Sequence, residues 1–342
     1  MTADMSPLSQ ILSGARARAR ARVRTRARVR TVALLSCLAA AAPLVAAADA
    51  AAAASAPAIR ITLLGTGGPS PVMNRFGPAT LVEAGTETLL FDAGRGALLR
   101  LAAARVAWRD VDGVFFTHLH SDHVVGFPDL WLTGWLLTAR ATPLRAWGPS
   151  GTSAMLSRLG EAYADDIRIR VEEGGAPAGV AIEARDIAEG VVFDEGGVRV
   201  SAFLVDHKLA KPAYGYRIDH AGRSVVISGD TRYSENLIRH ARGVDVLIHE
   251  VAVPASLERA GVPAGRARDV LDYHVTPRQA GEIFSKTAPR LAVYSHIVLP
   301  DASDAELIAP TRESWAGPLE IGEDLMVIDV DAAITVRRPA AR

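Results

Sequence analysis

Seven consecutive residues, Thr117-His118-Leu119-His120-Ser121-Asp122-His123, constrain this chain more than any other stretch. Four of them carry side chains that ligate metals, and an apolar run, Val114-Phe115-Phe116, leads in like the end of a buried strand. His118 and His120 are two apart, so on an extended backbone both point the same way. Asp122 and His123 follow where the chain turns and can face a second centre. Imidazole nitrogen and carboxylate oxygen together suit zinc, and less selectively iron or manganese. The competing reading is a polar loop with surface histidines. Four ligand types within six positions at a strand end weigh heavily against it.

Three further candidates stand just past apolar strands. His207 follows Val200–Val205, Asp230 follows Val225-Val226-Ile227 through Ser228-Gly229, and His296 closes Leu291–Ser295. A carboxylate such as Asp230 can bridge two cations through its two oxygens. Asp92, at the end of another strand, is read either as a partner for a ligating histidine or as a turn former.

The H-x-H-x-D-H pattern, with these later positions, resembles the metallo-β-lactamase superfamily. Within it, residues 59–330 are similar to the ribonuclease Z and arylsulfatase-like branch. The resemblance implies an α/β fold, a single αββα four-layer sandwich with a dinuclear metal site at one edge. It implies two Zn2+, with Mn2+ or Fe2+ as substitutes. One ion would sit on His118, His120, His207 and Asp230, and the other on Asp122, His123, Asp230 and His296. Asp122 is counted among the catalytic residues as well. His249-Glu250 and His274-Val275-Thr276 match the branch's His-Glu-Ala-Thr and His-Ser-Thr stretches. By that match His274 donates a proton to the leaving group and Glu250 orients it; the bland alternative is a structural hydrogen-bonded pair.

The chain departs from ribonuclease Z where that family carries Pro-x-Lys-x-Arg-Asn. Here Pro71-Val72-Met73-Asn74-Arg75-Phe76 keeps the arginine but loses the lysine and the asparagine. No basic, Gly/Pro-rich arm for gripping tRNA is evident, and residues 174–197 hold more acids (Glu183, Asp186, Glu189, Asp194, Glu195) than bases (Arg185).

Charge is divided unevenly. The first 48 residues hold eight arginines and one acid, which leaves 30 basic against 37 acidic residues in the body. A net acidic body disfavours a long nucleic-acid partner, which needs a basic track. Residues 16–30 alternate arginine with small residues, and 31–48 are apolar and Ala-rich, ending in small residues. That order is a secretory signal, so 1–48 are expected to direct export to the periplasm or outside the cell. Residues 49–58 read as an Ala/Ser/Pro linker, 59–335 as the hydrolase domain and 336–342 as a tail. Stable membrane insertion is not expected, because Pro43 and the alanines weaken the apolar run. The lone cysteine, Cys37, lies in the leader, so the body has no disulfide and no thiolate ligand. A homodimer stays open.

Along the body, strands are expected at 59–64, 79–84, 88–91, 113–116, 144–147, 168–171, 180–187 and 198–205. Helices are expected at 95–105, 151–164 and 277–286. Trp131 and Trp135, four apart, predict a helix face in the core. His220 and His240 read as exposed, and Arg75, Lys208 and Arg232 as candidate anion contacts.

The functional expectation is a dinuclear zinc hydrolase of small anionic esters, phosphodiester or sulfate, acting through a hydroxide shared by the ions. One alternative is a tRNA 3′-end endonuclease. A second is a catalytically silent binding protein of the same fold.

Overall fold

A computed structural model describes residues 56–298 and 301–339. The expected signal segment and residues 49–55 of the linker lie outside them. Fifteen strands occur among the described residues: β1 (Ile59–Gly65), β2 (Ala79–Ala84), β3 (Glu87–Phe91), β4 (Gly113–Phe115), β5 (Leu144–Gly148), β6 (Ile182–Asp186), β7 (Gly190–Glu195), β8 (Val198–Val205), β9 (Ala213–His220), β10 (Arg223–Ile227), β11 (Val246–Val251), β12 (Leu291–Ile297), β13 (Leu319–Ile321), β14 (Met326–Val330) and β15 (Ile334–Arg337). One sheet runs β15-β14-β1-β2-β3-β4-β5-β6, and the other β13-β12-β11-β10-β9-β8-β7.

Period-two alternation turns these strands into layers. Ile59, Ile61 and Leu63 of β1, Leu89 and Phe91 of β3, and Phe115 of β4 meet Val200, Tyr216, Val225, Val246 and Ile248 of the second sheet in one buried cluster. Their neighbours Leu64, Leu90, Val114 and Phe116 point the other way, onto helices Ala97–Ala103 and Phe127–Thr138. On the far side, Val226, Leu247 and Ala292 pack under helices Glu235–Ala241, Pro277–Thr287 and Asp304–Arg312. The result is the αββα sandwich. Trp131 and Trp135 are both buried in that first helical layer, as their spacing predicts.

One expected strand is a helix. Residues 168–171, Arg-Ile-Arg-Val, alternate like a strand but lie in helix Ala164–Glu172. Arg168 pairs with Glu172 and Arg170 with Asp166, each four apart, so the charges are satisfied by helical rather than extended spacing. Only Ile167 of this helix is buried. His220 and His240 are half-buried rather than exposed; His240 stacks on Phe203 at 4.5 Å between ring centres.

The pairing directions decide where the strand ends go. β10, β11 and β12 are mutually parallel, and β8 lies antiparallel to β9, itself antiparallel to β10. The C-terminal ends of β8, β10, β11 and β12 therefore share one edge. The sheets meet there: the Tyr214 amide donates to the Thr117 carbonyl at 2.9 Å, and the Tyr216 hydroxyl donates to the Phe116 carbonyl at 2.7 Å.

Phe115 supports that junction from below, with its ring 5.0 Å from Phe91 and 4.7 Å from Trp147, and no exposed surface. Phe115→Ala is expected to cost about 3–5 kcal/mol, because the rigid aromatic neighbours cannot close the hole. Urea unfolding measures it, and a loss below about 1 kcal/mol would show that the cluster relaxes freely.

Candidate metal centre

The turn after β4 is held by one carboxylate. Asp92, just past β3, accepts from the Thr117 amide at 2.8 Å and from the Thr117 hydroxyl at 2.9 Å. It also accepts from His123 Nδ1 at 2.8 Å. The Thr117 hydroxyl in turn lies 3.0 Å from His118 Nδ1 and can accept its proton. Both rings thus spend Nδ1 outward and present Nε2 inward, the arrangement metal-ligating histidines use. The second reading of Asp92, as a mere turn former, falls short of these contacts.

Gly229 makes the second approach. Its φ is 59°, and an added Cβ would lie 2.6 Å from the Tyr214 carbonyl oxygen and 3.0 Å from Thr117 Cβ. Only glycine lets the end of β10 come this close to the first turn. Asp230 follows at once. His296 is placed differently: its φ of 42° and a register shift between β11 and β12 break the alternation inside the strand. The strand therefore runs through His296 to Ile297 instead of stopping at Ser295.

The donor atoms converge. His120 Nδ1 lies 3.0 Å from His118 Nε2 and 3.2 Å from His207 Nε2. His207 Nδ1 is already committed to the Tyr273 carbonyl at 3.0 Å. Asp230 Oδ2 is 3.9 and 3.7 Å from the Nε2 atoms of His118 and His207, and 3.4 Å from those of His123 and His296. Asp122 Oδ2 lies 3.8 Å from His123 Nε2 and 3.5 Å from His296 Nε2. All seven sequence-predicted ligand candidates thus meet in two groups around one oxygen. The distances to both groups are those of Oδ2, while Oδ1 is buried without a hydrogen-bond partner.

These contacts fit cations better than they fit each other. At zinc–nitrogen distances of about 2.05 Å, tetrahedral geometry sets neighbouring donor atoms about 3.3 Å apart, and the observed spacings bracket that value. His123 Nε2, His296 Nε2 and Asp230 Oδ1 are buried with no hydrogen-bond partner, a costly state that a bound ion relieves at the nitrogens. Burial and the neighbouring histidines push His118 well below the usual imidazole range, leaving a lone pair to ligate with. Burial opposes charge on His123, but Asp230 and Asp92 outweigh it and raise its pKa. Burial likewise opposes charge on Asp122, whose carboxyl His296 and His123 nonetheless hold at about 2.

Beside this centre, Glu250 at the end of β11 accepts from His274 Nδ1 at 3.1 Å and from the Val275 amide at 2.8 Å. Burial disfavours the charged His274 ring, and Glu250 more than offsets it, raising the pKa. His274 lines the same cavity of about 290 Å³ as His120, Asp122, His207, Asp230 and His296.

The three expected anion contacts are otherwise engaged. Arg75 donates to the Thr66 hydroxyl at 2.8 Å and the Gly322 carbonyl at 2.6 Å, bracing the first loop. Arg232 is held twice by Asp206, at 2.9 and 2.7 Å, and Lys208 by Asp272 at 3.0 Å. The cation that does line the cavity is Arg266, which sequence reading did not single out. Its helix, Ala264–Leu271, carries no motif, so no local signal marked it.

Asp92 generates a test. Asp92→Asn keeps the shape but removes the negative charge behind His123, and metal affinity is expected to fall about 10–100-fold. Chelator-competition titration measures this, and unchanged affinity would leave Asp92 as a turn former only.

The comparisons agree with the geometry. A model described as the beta-lactamase superfamily domain matches residues 87–297. Ribonuclease Z of Mycobacterium sp. (strain KMS) is 36% identical over 283 residues, covering 82% of this chain and 99% of the relative. Among solved structures, the metallo-beta-lactamase fold protein YhfI from Bacillus subtilis is similar at TM-score 0.60 and 19% identity, over 79% of this chain and 98% of its own. Human tRNase Z, short form, is similar at TM-score 0.57 and 21% identity, over 79% and 98%. With its strand ends gathered on one divalent-metal site, the chain belongs to the metallo-β-lactamase superfamily, in its ribonuclease Z-like branch, and is a metal-dependent hydrolase of ester bonds.

Proposed function

We propose that the protein is a dinuclear zinc phosphodiesterase of the ribonuclease Z type, cutting RNA at tRNA 3′ ends. The observation that carries this reading is the continuous likeness to ribonuclease Z, at 36% identity across 99% of that relative. It answers the objection from the missing arm: a relative matched over almost its whole length has little left that this chain lacks. The acids of 174–197 also lose their force, because several have structural duties. Asp186 accepts from the Gly151 and Ser153 amides at 3.0 and 2.7 Å, Glu195 pairs with Arg145 at 2.8 Å, and Glu189 accepts from the Leu204 amide at 2.9 Å. The expectation that nucleic acid is no partner is therefore reversed here. The binding-only alternative is set aside with the family.

In this reading His118, His120 and His207 would hold one ion and Asp122, His123 and His296 the other, with Asp230 close to both groups. Zinc bound there supplies Lewis acidity and a water acidified towards neutral pH. His274, fixed through Nδ1 by Glu250, keeps Nε2 for the leaving oxygen and can deliver its proton there. A ribose alkoxide needs that proton; a nitrophenolate does not.

Small anionic esters, the first functional expectation, remain the second reading. The first loop favours it, since Met73 and Phe76 stand where ribonuclease Z has lysine and asparagine, and Phe76 lies under the Arg100 guanidinium at 3.9 Å.

A substrate panel separates the two. Zinc-loaded protein is expected to cut the 3′ trailer from a tRNA precursor and a chromogenic phosphodiester, but no aryl sulfate. Sulfate-ester turnover with inert RNA would reverse the order of the readings.

His274→Ala gives a sharper prediction. RNA cleavage is expected to slow about 10²–10⁴-fold, while hydrolysis of a p-nitrophenyl diester changes little, because only the first leaving group requires an acid. Equal losses on both substrates would assign His274 a structural role.

A further inference from the structure

The loop after β8 divides the approach to the metal centre. His120, Leu209 and Ala210 line the cavity of about 290 Å³ described above, and the same three residues line a second cavity of about 320 Å³ on their other side. Each is near the lower size of small-molecule sites, roughly 300 Å³. A small ester needs only one of them.

Each cavity contains one cation beyond those already paired. Arg266 lines the first and Lys211 the second. Both are exposed, and neither forms an ion pair among the described residues. Their neighbours do: Lys208 is held by Asp272 at 3.0 Å, and Arg259 by Asp301 at 3.4 Å and by Glu306. Arg266 and Val270 are four apart on helix Ala264–Leu271, so one helix face brings a charge and an apolar side chain to the same wall. Leu209, 93% exposed, stands at the partition with no core contact to explain it. A charge beside apolar surface, repeated on both sides of a phosphoester-cutting centre, is what a single-stranded nucleic acid meets in a binding channel.

We propose that the two cavities seat an RNA chain on either side of the bond that is cut, with Arg266 contacting a backbone phosphate on one side and Lys211 one on the other. Leu209 and Val270 form the apolar contact for the intervening nucleotides. The proposal rests on the ribonuclease reading and gives it a substrate track. The body's net acidity supplies no general attraction, so these two local charges decide whether the chain is held.

The test uses the full zinc-loaded protein and a short fluorescein-labelled RNA. Anisotropy gives the RNA dissociation constant at several salt concentrations, and competition against a chromogenic diester gives the inhibition constant. Arg266→Ala and Lys211→Ala are each expected to weaken RNA binding about tenfold. Each should also reduce the salt slope by about 0.7, the share of one phosphate contact on a single strand. Arg266→Lys should retain most of the binding. Turnover of the chromogenic diester should be unchanged in Lys211→Ala and should fall less than RNA binding in Arg266→Ala. Failure of the wild type to bind RNA, an RNA constant unchanged in either alanine variant, or an equal loss on the small diester would overturn the proposal. RNA that binds through both residues yet is never cut would leave the track standing and remove the ribonuclease reading. RNA that is cut, with constants indifferent to both substitutions, would do the opposite.

Discussion

Imidazole nitrogens facing one another, two of the three rings buried, are the condition on which this structure depends. His120 Nδ1 lies 3.0 Å from His118 Nε2 and 3.2 Å from His207 Nε2, and the outward nitrogens of His118 and His207 have other partners. Lone pairs at such distances repel unless a positive charge lies between them. A proton can serve one pair; it cannot serve three rings and Asp230 Oδ2 together. A divalent ion can, and the energy of binding it is folding energy for the loops that supply the donors.

The sandwich makes that crowding affordable by fixing the donors to strand ends instead of free loops. Phe91, Phe115, Trp147 and Tyr216 fill the space between the sheets directly beneath the turn at 117–123. Asp92 and Thr117 then carry the rigidity of the core to His118 and His123 through hydrogen bonds of 2.8–3.0 Å. Two departures from ordinary backbone complete the site, Gly229 at φ 59° and His296 at φ 42°. Glycine adopts its conformation freely, whereas the strain at His296 persists because the β12 register over-determines it.

The ligand set was legible because each donor follows an apolar strand, and parallel strands must end at one edge. His207, Asp230 and His296 are separated by up to 89 positions, yet β8, β10 and β12 run in the same direction, so their ends meet. What could not be read was anything set by side-chain rotation or by packing between distant segments. Arg-Ile-Arg-Val at 168–171 alternates like a strand, and only its partners at four-residue spacing reveal the helix. Arg75, Lys208 and Arg232 read as free cations because their carboxylates, carbonyls and hydroxyls come from elsewhere in the fold. Arg266 is the reverse case: what distinguishes it is the absence of an ion pair among the described residues, which no sequence displays.

The same reasoning reweighs the departures from ribonuclease Z. Arg75, kept from the family's first-loop motif, is turned inward onto Thr66 and Gly322, with Asp324 beside it accepting from the Thr66 and Phe76 amides at 2.9 and 2.8 Å. An arginine so engaged braces the loop through one nitrogen of its guanidinium. The loss of the lysine and asparagine around it then leaves this arginine as the one charged member of that motif in the first loop. Under the proposed reading, recognition rests on other elements, Arg266 on helix Ala264–Leu271 and Lys211 on the loop after β8. A fold that keeps its metal edge constant can move substrate contacts among such elements, because the core fixes the strand ends and leaves the connections free to differ.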